Sequence, residues 1–186
     1  MSETFEIAVL VGSLRKESLN RKLAEAMTAL APDGLSFEFV TIGDLPLYNE
    51  DLEADVPDAW TRFRDTMKTK QGVLFFTPEY NRSVPGALKN ALDVGSRPYG
   101  QSVWDKKPAA IVTASPGALA AFGANHHLRQ SLVFLNMPTL QQPEAYIGQV
   151  NKLLSEDGEI VSDDTKSFLT TFMNAFASWV ERHKDY

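Results

Sequence analysis

Ile7-Ala8-Val9-Leu10-Val11-Gly12-Ser13-Leu14-Arg15-Lys16-Glu17-Ser18-Leu19-Asn20 is the stretch that decides the architecture. The unbroken apolar run Ile7 to Val11, stopped by Gly12-Ser13, reads as a strand covered on both faces, as in a parallel sheet. The chain then passes into Leu23, Ala24, Met27 and Leu30 at spacings of three and four, an amphipathic helix from Asn20 to Leu30 that Pro32-Asp33-Gly34 stops. A strand followed at once by a helix opens an alternating α/β fold. The alternation continues downstream. Phe37, Phe39 and Thr41 mark a more exposed strand suited to a sheet edge, followed by a proline-containing acidic loop from Leu45 to Asp51. Trp60, Phe63, Arg64 and Met67 mark a helix, and Gly72 to Thr77 a central strand ended by Pro78. Pro85-Gly86 opens a helix through Leu88, Ala91, Leu92 and Val94, with Pro placed where a first turn tolerates it. Ala109 to Ala114 form a fourth strand, closed by Ser115-Pro116-Gly117, and a helix follows through Leu128, Leu132, Val133 and Leu135. Thr139-Leu140 and Ala145-Tyr146-Ile147 flank a last strand interrupted by Pro143. Asp163-Asp164 precede a terminal helix with the stripe Phe168, Phe172, Phe176, Trp179 and Val180, its acids at the end the helix dipole favours. The reading is a doubly wound parallel sheet with helices on both faces, in a single domain over residues 1–186.

Composition narrows the chemistry. A length of 186 residues corresponds to about one domain. With Cys 0, disulfide frameworks, cysteine zinc sites, iron–sulfur ligation and cysteine nucleophiles are excluded, so redox chemistry needs a bound cofactor. A net charge of −6 lacks the global field that draws proteins to nucleic acid or anionic membrane. The segment Met1 to Glu6 has two acids and no basic n-region, and no apolar run approaches the ~20 residues of a membrane span. A cytoplasmic protein without membrane insertion is expected.

In open parallel sheets, ligands bind beyond the carboxyl ends of the strands. The first such end, from Gly12 to Asn20, offers hydroxyls, an amide, a guanidinium and the N–H groups of a helix start, which suit a phosphate. A helix cap at Ser18 or Asn20 beside a solvated Arg15 fits the same residues. The stretch is neither G-x-G-x-x-G nor a Walker loop, which removes the main support for a nicotinamide dehydrogenase or an NTPase. The second end, Thr77-Pro78-Glu79-Tyr80-Asn81-Arg82-Ser83-Val84-Pro85-Gly86, holds an aromatic ring and an amide in a loop braced by prolines. It suits either the edge of a planar heterocycle or a rigid turn. The third, Ser115-Pro116-Gly117, adds a hydroxyl and a glycine that allows close backbone approach. No G-x-S-x-G elbow supports a hydrolase, and without H-E-x-x-H the pair His126-His127 gives no metal site.

Gly12-Ser13-Leu14-Arg15 with Ser18 and Asn20, then Pro78-Glu79-Tyr80-Asn81, Ser83-Val84-Pro85-Gly86 and Leu88-Lys89-Asn90-Ala91, resemble the NADPH-dependent FMN reductases, and within them the bacterial quinone and chromate reductases. The resemblance runs from about Ile7 to Ile147 and implies a flavodoxin-like fold with strand order 2-1-3-4-5 and non-covalent FMN. It implies that Ser13, Arg15, Ser18 and Asn20 hold the FMN phosphate, that Pro78, Glu79, Tyr80 and Asn81 line the ribityl chain and isoalloxazine, and that Ser115 and Gly117 close the site. NADPH or NADH is then the electron donor, and a quinone, chromate, azo compound or free flavin the small-molecule acceptor. The flavin carries the chemistry, so no catalytic side chain is assigned. Arg82, where many relatives carry a small or aromatic residue, Lys89 and Arg97 are candidate substrate contacts. A homodimer or homotetramer is implied, with Asp93 to Trp104, including Arg97, Tyr99 and Trp104, as its candidate contact. The alternative is a flavodoxin-type carrier passing single electrons to a protein partner.

Overall fold

Alternation of side chains along apolar strands builds two cores at once. In the computed structural model, which describes residues 4–185, β1 (Phe5–Val11) turns Ile7, Val9 and Val11 to one face and Ala8 and Leu10 to the other. The readings made on Met1, Ser2 and Glu3 lie outside the described residues. The first face is covered by α1 (Leu19–Thr28), and beside β1 runs β2 (Leu35–Phe39) at the sheet edge. The opposite face receives α2 (Asp58–Lys68). Next come β3 (Gly72–Thr77), α3 (Gly86–Gly95), β4 (Ala109–Ala114), α4 (Phe122–Phe134), β5 (Ala145–Ile147), the short α5 (Val150–Leu153) and α6 (Asp163–Arg182). In β3, Leu74 and Phe76 join the α1–α6 core, whereas Val73 and Phe75 join the core under α2, α3 and α4.

The strands pair in parallel in the order β2-β1-β3-β4-β5. This is the flavodoxin-like arrangement that the resemblance implies. Its order reverses between β1 and β3, so the crevice for a ligand lies at their carboxyl ends.

Several elements differ from the sequence reading. β2 ends at Phe39, and Thr41 is exposed beyond it. β5 has only three residues, and Thr139 contributes an isolated bridge to Ala109. On α6 the buried stripe is Leu169, Phe172, Met173, Phe176 and Val180, whereas Phe168 is 38% exposed. An aromatic one position early fits a 3.6-residue period nearly as well, and only packing chooses between them. On α4, Leu128 and Leu132 are buried, but Val133 is 77% exposed.

Trp104 corrects the expected subunit contact more sharply. It is fully buried beside Phe63 and Phe75, with Nε1 donating to the Leu92 carbonyl at 2.9 Å. Gly95 makes the room, because a Cβ there would stand 2.6 Å from the indole. A bulky ring in a polar stretch reads as exposed until the glycine across from it is known.

Candidate functional site

Ser18 sets the first wall of the site by capping α1. Its Oγ accepts from the Arg21 N–H at 3.2 Å, which leaves the hydroxyl proton free to donate outward. Asn20, one residue into the helix, sends Nδ2 to the Ala114 carbonyl at 3.2 Å and so ties the start of α1 to the end of β4. Its Oδ1 is buried without a partner among the described residues. Arg15, in the intervening loop, is exposed and makes no ion pair or hydrogen bond among the described residues. A free cation beside a helix N-terminus is an arrangement that favours an anion.

The second wall is the loop after β3. Tyr80 and Ser83 exchange backbone hydrogen bonds of 2.9 and 3.0 Å around Asn81 (φ 51°) and Arg82 (φ 66°). Both central residues occupy the left-handed region, as a type I′ turn requires, a conformation Asn adopts more readily than Arg. The loop is clamped to α4. Glu79 Oε2 accepts from the Ala124 N–H at 3.1 Å, a carboxylate at a helix N-terminus, while Oε1 lies 3.5 Å from Arg82 Nη1. His127 Nδ1 and Ser83 Oγ are 2.9 Å apart. Gly123 permits this docking, because a Cβ there would come within 2.9 Å of Glu79 Oε2 and 3.0 Å of the Arg82 carbonyl. At the third strand end, Ser115 Oγ accepts from the Gly117 N–H at 3.0 Å.

Between these walls lies a cleft of about 210 Å³ lined by Ser13, Arg15, Ser18, Asn20, Pro78, Glu79, Tyr80 and Ser115. The structure thus brings together residues from three strand ends. Asn81, at the hairpin tip, and Gly117, one turn beyond Ser115, do not line it. The cleft is smaller than the ~300–1,000 Å³ of pockets that enclose a whole ligand, so a mononucleotide would lie partly outside it.

The three candidate substrate contacts sit elsewhere. Arg82 is exposed at the hairpin. Lys89 is bound to both carboxylate oxygens of Asp93, at 2.8 and 2.9 Å, as an i,i+4 pair on α3. Arg97 lines a larger cleft of about 560 Å³ with Tyr99, Phe134 and Asn136.

Sequence reasoning missed an aromatic cluster beside the β4–α4 connection. The Phe122 ring lies 4.3 Å from His126 and 5.2 Å from Tyr146, centroid to centroid. Tyr146 donates to Glu144 at 2.8 Å, and burial together with that carboxylate pushes its phenol up to about 12. Helical spacing places His126 and Phe122 on one face, but no local pattern brings β5 to them.

Hydroxyl, guanidinium and helix N-terminal donors on one side, with an aromatic-bearing loop on the other, fit a phosphate ester joined to a planar ring, as in FMN. The family model of NADPH-dependent FMN reductase matches residues 5–152. A quinone reductase of Pseudomonas putida is 58% identical over 185 residues, covering 99% of each chain. A 2-hydroxy-1,4-benzoquinone reductase of a Burkholderia species is 49% identical over 175 residues, covering 94% of this chain and 96% of that one. Among solved structures, FerB, a flavoenzyme NAD(P)H:(acceptor) oxidoreductase from Paracoccus denitrificans, superimposes with a TM-score of 0.92 at 44% identity, covering 97% of this chain and 99% of that one. Fold, cleft and sequence agree, and the chain belongs to the NADPH-dependent FMN reductase family.

Proposed function

We propose that this oxidoreductase holds FMN in the strand-end cleft and uses NADPH or NADH to reduce quinones. The observation that carries the reading is the convergence of Ser13, Arg15, Ser18 and Ser115 with Tyr80 in one cleft at the point where strand order reverses. The names of the relatives, a quinone reductase and a hydroxybenzoquinone reductase, support a quinone as acceptor. Chromate, azo compounds and free flavin are further acceptors to be assayed.

When bound, FMN would supply the hydride and electron chemistry between a pyridine nucleotide and the acceptor. The protein binds and orients. Arg15, the Ser13 and Ser18 hydroxyls and the first N–H groups of α1 neutralise the phosphate. Tyr80 walls the cleft, and the Glu79 contact to α4 keeps the loop that carries Tyr80 in place. Asn81 and Gly117 complete the site through their loops, with no side-chain proton donor required.

The proposal includes a homodimer, or a pair of dimers, formed through the α3–α4 side. Tyr99 is 90% exposed and Phe134 89%, both lining the cleft of Arg97, and Val133 of the same helix as Phe134 is 77% exposed, apolar surface that suits an interface core. Arg97 and Lys89 would then act at the subunit boundary, and Arg82 at the mouth of the cleft. Among the described residues no helix is long and apolar enough to cross a membrane. The need for a pyridine nucleotide donor supports a cytoplasmic location.

The test is the visible spectrum of the protein after FMN reconstitution and desalting, followed by NADPH under anaerobic conditions and then a benzoquinone. The expected result is a retained flavin band that bleaches with NADPH and returns with the quinone. A retained band that fails to bleach would turn the reading to an electron carrier, and a lost band would remove FMN from the cleft.

A further inference from the structure

A second cleft opens beside the first. It measures about 410 Å³, lies at the carboxyl ends of β1 and β2, shares Ser13 and Arg15 with the flavin cleft, and adds Arg21, Thr41, Leu14 and Ile42. Among the described residues no acidic side chain lines it, in a chain of net charge −6. Two guanidiniums therefore meet apolar surface in a chain whose net charge is negative.

Arg21 is already oriented. Its guanidinium carbon lies 4.0 Å above the centroid of the Phe39 ring, and its Nε donates to Glu25 Oε1 at 2.6 Å. Among the described residues neither terminal amino group donates a hydrogen bond. Glu25 is the carboxylate that faces this cation, and it engages the nitrogen nearest the chain, so the Nη edge stays available. A planar fork held by a ring beneath and an anion behind matches the oxygens of a phosphate monoester.

We propose that this cleft takes the 2′-phosphorylated adenosine end of NADPH, with Arg21 as the residue that favours NADPH over NADH. The inference rests on the pyridine-nucleotide reductase reading above. A nicotinamide ring placed over the flavin ring is joined to its adenosine through two riboses and a pyrophosphate, a longer chain than ribityl phosphate. A dinucleotide that ran alongside the flavin chain would carry its adenosine end past the FMN phosphate. The adjoining cleft along the sheet is the one that Arg15 shares. Leu14 and Ile42 give apolar surface for the adenine, and Thr41 gives a hydroxyl near the ribose. NADH has no 2′-phosphate and leaves the Arg21 fork unused.

Calorimetric titration of the FMN-loaded protein with 2′,5′-ADP and with 5′-AMP tests this without turnover. The 2′,5′-ADP is expected to bind about tenfold or more tightly than 5′-AMP, the scale of a hydrogen-bonded charge pair, and Arg21→Gln is expected to abolish the difference. In steady-state assays the same substitution should raise KM for NADPH about tenfold relative to KM for NADH. Equal affinity of the wild-type protein for the two nucleotides, or a preference that survives Arg21→Gln, would overturn the assignment. If neither dinucleotide bleaches the flavin, the reductase reading falls, and the titration still decides whether the cleft recognises the 2′-phosphate.

Discussion

Arg15 is the charged side chain common to both strand-end clefts, and among the described residues it has no ion pair or hydrogen bond. Its charge is therefore available to a ligand phosphate without first breaking an internal ion pair. Arg15→Ala is expected to weaken FMN binding by ~1.5–3 kcal/mol, the range for hydrogen bonds to charged groups, as read by fluorescence titration. An unchanged dissociation constant would take Arg15 out of the phosphate site. A second residue-scale effect lies at the opposite end of the sheet. Burial and then the neighbouring Lys70 charge lower the Lys107 ammonium from 10.5 to about 8. Between those values the unfolded chain carries a proton that the folded chain lacks, so stability rises with pH across the window, whereas below about 8 both states are protonated. Tyr146 acts oppositely and later, because its folded-state value of about 12 exceeds the usual 10, and its contribution is lost as pH rises between them. Lys107→Met should therefore abolish a rise in the urea midpoint between about pH 8 and pH 10 that the wild-type protein shows. Midpoints that run parallel in the two proteins would contradict the assignment to Lys107.

At the scale of elements, loops are fixed by single side chains reaching from distant helices. Asn90, buried on α3, accepts from the Tyr48 N–H at 2.8 Å and donates to the carbonyls of Leu45 and Pro46 at 3.1 and 3.0 Å. It pins the connection between β2 and α2 against α3. Asn90→Ala leaves these backbone groups without their partner and should cost about 2–4 kcal/mol in chemical denaturation, given ~1–3 kcal/mol for each buried group left unsatisfied. A loss under about 0.5 kcal/mol would show that water replaces the amide. The Leu45–Asp51 stretch was legible as a proline-containing loop, but its anchor was not, since nothing local links Tyr48 to a residue on another helix. The same holds for Glu79. Its place in a loop after β3 was readable from Pro78, whereas its bond to Ala124 exists only because α4 returns over that strand end. The apolar runs of β1, β3 and β4 were readable because burial on both faces leaves few polar positions in them, such as the buried Thr77 and Thr113.

For the whole molecule, the uneven distribution of apolar surface matters most. Val133, Phe134 and Tyr99 project from the α3–α4 side although Leu128 and Leu132 of the same helix lie in the core. A helix apolar on two faces buries one against its own sheet and keeps the other for a partner. Phe134→Glu is expected to convert the proposed dimer into a 20.6 kDa species by analytical ultracentrifugation. A wild-type protein that already sediments at that mass would refute the interface, and a variant that remains dimeric would move it to another face. Trp104, by contrast, belongs to the fold and not to assembly.

The sequence by itself determined the order of strands and helices along the chain, the strand ends proposed to hold a ligand, and the two motifs that mark the family. These are local properties, carried by runs of apolar residues and by spacings within one turn or one loop. Only the tertiary structure decided that Leu169 rather than its neighbour Phe168 is buried on α6, that Trp104 fills the space Gly95 leaves, and that Arg15 stands between two clefts. Each of these depends on residues far apart in the chain meeting when the helices pack across the sheet, and the free energy that selects them comes from the fit of surfaces that no single segment contains.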